Sequence, residues 1–192
     1  NQLHRLADTL HLPFDLARYN HLDGRFSELY GAADYLRQTG KNQAVAKQLH
    51  EKALSLQYDP YLIQHLYLMC LADGTPFDST RFLATNNPSM LAENGYFFFA
   101  KGRWEMARQL YEKSESLLHR SRNLTQLYDI SLKMKQPFDF NRFLSSNKLD
   151  ELSQYASTMD TRSRRTLPKI ADRVPIDIQI TQLGEKMLSL DT

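Results

Sequence analysis

The sequence is poor in the residues that build most small-molecule chemistry. It has one cysteine, seven glycines and one tryptophan in 192 residues, and its charges nearly cancel. A lone cysteine excludes a disulfide framework and a cysteine-rich metal cluster. Cys70 lies within the apolar run 61–71, where it reads as an inert core residue rather than a nucleophile. The 24 basic and 22 acidic residues leave a net charge of +2. No global field therefore draws the chain to nucleic acid or to an anionic membrane. No apolar run reaches the ~18 residues that span a bilayer, and no charged, apolar, small-residue leader opens the chain. The glycines form none of the phosphate-cradling loops, and the six histidines include no pair four apart and no His-Glu-x-x-His. The expectation is a chain without catalysis, metal or cofactor of its own. The compartment stays open between cytoplasm and a bacterial periplasm.

What is present is a hydrophobic content of 42%, enough for a sizeable core, and an internal repeat. Pro-Phe-Asp occurs at 13–15, 76–78 and 137–139, spaced by about 62 residues. Each copy continues as Asp-x-x-Arg-aromatic: Asp15 to Arg18-Tyr19, Asp78 to Arg81-Phe82, Asp139 to Arg142-Phe143. Pro-Phe does not easily continue a preceding helix, and an Asp accepts hydrogen bonds from unpaired first-turn N–H groups, so each copy predicts a helix boundary. The three arginines are read as local pairs with the Asp three residues earlier, in preference to a ladder of free arginines along a groove.

The rest of the period recurs as well. Leu29-x3-Ala33-x2-Leu36, Leu91-x3-Gly95-x2-Phe98 and Leu152-x3-Ala156 read as first helices of successive pairs, each with a small contact residue. Residues 46–52 match 107–113 as second helices. A further helix closes each period, with Leu66 and Met69 before Pro76, Leu127 and Ile130 before Pro137, and Leu3 and Leu6 before Pro13. The expectation is an all-α fold with four helices, or two helix pairs, in each long repeat of about 62 residues. It forms a single helical-repeat domain over 1–192, with repeats at about 13–75, 76–136 and 137–192. Both ends fall in register, Ile180-Thr181-Gln182-Leu183 resembling Leu124-Thr125-Gln126-Leu127, as in a piece of a longer array. The third period carries Pro168 and Pro175. A proline inside a helix costs ~3 kcal/mol, so its second helix is expected to be short or to start at Pro168, with 176–180 an extended linker.

The unit from Pro88 to about Ser121 resembles a tetratricopeptide repeat. That pattern has a large apolar residue at Leu91, a small one at Gly95 and an aromatic at Phe98. Gly102 follows in the turn, then Ala107, Tyr111 and Ser114 on the second helix. The resemblance implies a right-handed α-solenoid whose first helices line a concave face. In its register the ligand-contacting places fall on Ser89, Ala92, Tyr96, Phe99 and Ala100, and one repeat earlier on Ser27, Tyr30, Asp34, Arg37 and Gln38. The family's basic carboxylate clamp is absent from these places except at Arg37. The function this implies is a non-catalytic scaffold that binds a peptide or partner helix. A second reading is the helical accessory segment of a larger bacterial enzyme or export protein, for example in glycan synthesis. The cluster Arg162, Arg164, Arg165, Lys169 and Arg173 has no aromatic interleaved and reads as a solvated helix end, not a nucleic-acid surface.

Overall fold

The computed structural model of the chain describes residues 25–40, 42–166 and 170–191, and the side chains of all of these except 166 and 170–174. Every described residue lies in a helix or in a turn between helices, and no strand occurs among them. The chain is all-α. It divides into two compact units, Asn1–Thr85 and Asn86–Thr192. The first Pro-Phe-Asp copy, Arg18, Leu3, Leu6 and Pro168 lie outside the described residues.

Within the first unit, α1 (Phe26–Thr39), α2 (Gln43–Leu56) and α3 (Pro60–Asp73) follow one another through short turns. Leu29, Ala32, Ala33 and Leu36 recur three or four apart on α1 and are all fully buried. They meet Ala46, Leu49 and Ala53 of α2 and Leu62 and Met69 of α3 in one core. Ala33 is thus the small contact residue its spacing predicts. The breaks are chemically explicit. Gly40 and Gly74 take left-handed φ values of 69° and 67° at helix C-termini. Asp59 accepts from the Leu62 N–H at 2.8 Å, with Pro60 in the first turn.

Beyond Gly74, Pro76-Phe77-Asp78 leads into a 3-10 helix, Ser79–Leu83. Asp78 accepts from the Thr80 N–H at 3.0 Å and from its hydroxyl at 2.7 Å, so the predicted boundary is present. The local Asp–Arg pair is not. Arg81 reaches back to Glu51 of α2 through two hydrogen bonds of 2.9 and 2.7 Å. The cap residue stands outside the helix and spends its carboxylate on Thr80, so the spacing of three does not align Asp78 and Arg81 as it would within an α-helix. The repeat does the same in the second unit. Asp139 accepts from the Asn141 N–H at 3.1 Å, while Arg142 donates to Glu112 at 2.8 Å.

The second unit opens with α4 (Pro88–Ala100), a tight turn at Gly102 with φ 70°, and α5 (Trp104–Leu117). Asn87 caps α4 by accepting from the N–H groups of Ser89 and Met90. Then come α6 (Ser121–Met134), the single turn α7 (Asn141–Leu144), α8 (Leu149–Thr166) and α9 (Ile170–Leu190). Leu91 and Phe98 of α4, Ala107, Leu110 and Tyr111 of α5, and Leu124, Leu127 and Ile130 of α6 are buried, as the repeat predicts. The element that follows the tripeptide is only a turn or two: the 3-10 helix in the second period, α7 in the third.

A cluster of three rings explains why the tripeptide and its Arg-aromatic partner travel together. Phe77 and Phe82 pack on Tyr67 of α3 at 5.6 and 5.8 Å between centroids. Phe138 and Phe143 pack likewise on Tyr128 of α6 at 5.5 and 5.8 Å. Arg81 and Arg142 lie over Phe77 and Phe138, adding cation–π contact to their ion pairs.

The third period differs from its expectation. Residues 176–180 are not an extended linker, and of the two expectations for the second helix, short or starting at Pro168, the first is not met: α9 is a 21-residue helix from Ile170 that contains Pro175, while Pro168 lies outside the described residues. Ile176 and Leu183, seven residues apart, are buried at 9% and 0% exposure, while Ile178 stays exposed. Burying two such side chains stabilises by about 1.5–3 kcal/mol each, which offsets the ~3 kcal/mol of an internal proline.

Candidate functional site

The second unit's helix pair is set by one missing side chain. A Cβ on Gly95 would lie 3.0 Å from the Tyr111 ring, so only glycine lets α4 and α5 approach this closely. Tyr111 in turn closes the floor of a hollow of about 380 Å³. Ser89, Ala92, Glu93 and Tyr96 of α4 form one wall, and Arg120, Arg122 and Asn123 at the start of α6 form the other. Three of the five places predicted on α4 are therefore brought together. Phe99 is not among them, being half-buried and edge-on to Trp104 at 5.3 Å, and Ala100 sits exposed at the helix end.

Tyr96 is 58% exposed, the largest aromatic surface that α4 leaves uncovered. Arg120 donates to the Ser89 hydroxyl at 3.1 Å, and its backbone N–H donates to Glu115, which together hold its side chain across the mouth. Arg122 forms no ion pair among the described residues and is exposed. Asn123 donates to Ser114 at 2.9 Å and Ser114 to the Pro88 carbonyl at 2.7 Å, fastening α4, α5 and α6 behind the hollow. Burial pushes the Tyr111 hydroxyl up to about 12, so it stays protonated. The hollow thus offers an aromatic face, two guanidiniums and one carboxylate, an arrangement suited to gripping a chain segment with a polar or anionic group.

The five places in the first unit behave differently. Asp34 accepts from Arg37 at 2.6 and 3.1 Å and from Gln38 at 2.6 Å, so three of the five are tied to one another. Ser27 is exposed. Tyr30 stacks on Phe26 and lies 6.4 Å from the ring of His50. His50 is fully buried with neither ring nitrogen hydrogen-bonded, and the His65 ring stands 5.9 Å away. Burial above all, with His65 and Arg37 adding to it, lowers the His50 pKa to about 4. The sequence passes over His50 because it lacks ligand spacing, yet the repeat aligns it with Tyr111, an interior ring at the heart of the other pair. Arg120 and Arg122 were missed because they stand at the start of α6, outside the places the first-helix register marks.

Away from these helix faces, His119 is held between Glu115 and Glu151, joining α5 to α8. Burial pulls its pKa down, and the hydrogen bonds to the two carboxylates more than reverse this, leaving it raised. Glu151 also accepts from Ser146 at 2.7 Å and Lys148 at 2.9 Å, and these bonds outweigh its burial to hold its carboxyl at about 2. Cys70 is buried. Among the described residues no group of three or more His, Cys, Asp and Glu is placed to hold a metal ion, and no helix is long and apolar enough to cross a membrane. In the basic cluster Arg162 lies 3.7 Å from Asp129 and Arg164 pairs with Asp160 at 2.6 Å. Lys169 and the side chain of Arg173 lie outside the described set. The chain matches no protein-family model and no curated protein.

Proposed function

We propose that the chain is a non-catalytic interaction scaffold, a right-handed stack of tetratricopeptide-like helix pairs that binds a peptide or a partner helix. One observation carries this reading: the hollow between α4 and α6, where Ser89, Ala92 and the 58%-exposed Tyr96 face Arg120 and Arg122. A partly uncovered tyrosine beside arginines is the residue pairing that dominates interface energetics when a partner desolvates it. The reading makes Tyr96 and Arg122 the anchors, and gives Arg37, already tied to Asp34, a structural part.

Panning the immobilised chain against a library of random 12-residue peptides tests it. Selected peptides are expected to bind the parent and to weaken about tenfold or more against Tyr96→Ala and against Arg122→Ala, with helix content and melting temperature unchanged. Selection of no peptide, or of peptides indifferent to both substitutions, overturns the assignment.

A further inference from the structure

A second hollow, of about 240 Å³, lies further along α6, against α8. Gln126 of α6 stands one turn after Arg122 and shares its helix face. It meets Ser157, Thr158, Thr161, Arg162 and Arg165 of α8. The α8 residues repeat at spacings of three and four, so they form one polar stripe, while Tyr155 and Met159 bury the opposite side.

We propose that this hollow is a phosphomonoester site. Its donors outnumber their partners within the protein. The hydroxyls of Ser157, Thr158 and Thr161 and the guanidinium of Arg165 make no hydrogen bond or ion pair among the described residues. The Nε of Arg162 lies 3.7 Å from Asp129, beyond hydrogen-bond distance. A phosphoryl group brings nearly two negative charges and three acceptor oxygens, enough to engage two guanidiniums and several hydroxyls at once, whereas a carboxylate brings two oxygens and one charge. Gln126 flanks these donors, with its Oε1 buried and without a hydrogen-bond partner. The volume equals that of about eight waters, which leaves space for the ester's carbon side as well as the phosphoryl group. No aromatic ring lines the hollow, so a base has nothing to stack on, and nucleic acid is a poorer fit than a small phosphate ester.

Two sources share this chemistry: a free phosphomonoester, and a phosphorylated side chain on a segment lying across α6. The site stands even if the hollow beside α4 binds no peptide. The test follows the Nε–Hε resonances of Arg162 and Arg165 in the labelled chain during titration with inorganic phosphate, O-phospho-L-serine and a seven-residue phosphoserine peptide. Acetate at equal ionic strength is the control. Saturable shifts are expected with the phosphates, at least tenfold tighter than with acetate, and weakening between pH 7.5 and 5.5 as the second phosphate proton, of pKa about 6, returns. Arg165→Gln and Thr158→Val should each weaken binding about fivefold while the melting temperature holds, because Arg165 is exposed and the half-buried Thr158 keeps its shape as valine. A peptide bound more tightly than phosphoserine identifies the phosphorylated segment, and equal affinity identifies the free ester. Linear, equal drift with phosphate, acetate and chloride, or unaltered binding by Arg165→Gln, overturns the proposal.

Discussion

Gly95 shows how much a single atom decides. Tyr111 packs where a Cβ would be, 3.0 Å away, and behind that contact Ser114, Asn123 and the Pro88 carbonyl are joined. Gly95→Leu is therefore expected to overpack the pair and to destabilise by about 1–3 kcal/mol, read as a lowered denaturant midpoint at unchanged slope. His50 makes the opposite point, since it is a polar ring where the sister repeat has a tyrosine. Its folded pKa of about 4 lies below the 6.5 of the unfolded chain, so the unfolded state binds the extra proton. The associated stability is fully present above pH 6.5 and is lost as pH falls toward 4, by an amount on the order of 1–3 kcal/mol. His119 runs the other way, because its raised pKa favours the fold at low pH and the contribution fades as pH rises through the folded value. Melting curves at pH 7 and pH 5 should separate the two: His50→Leu removes most of the parent's loss on acidification, and parallel pH responses of parent and variant would contradict the assignment.

Helices here are bounded by local chemistry and held by distant partners. Asp59, Asn87, Asp78 and Asp139 accept hydrogen bonds from nearby N–H groups at the element starts, and left-handed residues close several ends. Those signals lie in adjacent residues and were legible. Pro175 breaks the local rule against a proline inside a helix, and the burial of Ile176 and Leu183 offsets its cost. Replacing it should then restore what the helix forgoes, without altering the packed face. Pro175→Ala is expected to raise stability by about 1–3 kcal/mol, visible as a higher melting temperature with equal or greater helix content. A lower melting temperature would mean that the proline is required where it stands.

At the scale of the whole molecule, two units repeat one module: a three-ring cluster, an arginine above it, and a glutamate from a helix about thirty residues earlier. The period of about 62 residues, the all-α class and most of the buried positions were set by the sequence itself. A helix needs only the 3.6-residue spacing of its apolar side chains and the chemistry of its ends, and both are written within a few residues. Tertiary structure alone decided the rest. Arg81 could be seen beside Asp78 in the chain, but only packing brings Glu51 within 2.7 Å of it. Tyr96 was legible as a candidate contact residue, yet the arginines opposite it come from the start of another helix. Likewise, only packing lays Gln126 of α6 beside the polar stripe of α8. Each of these depends on which helix face meets which neighbour, and that is settled by the total apolar area buried across the unit rather than by any local pattern.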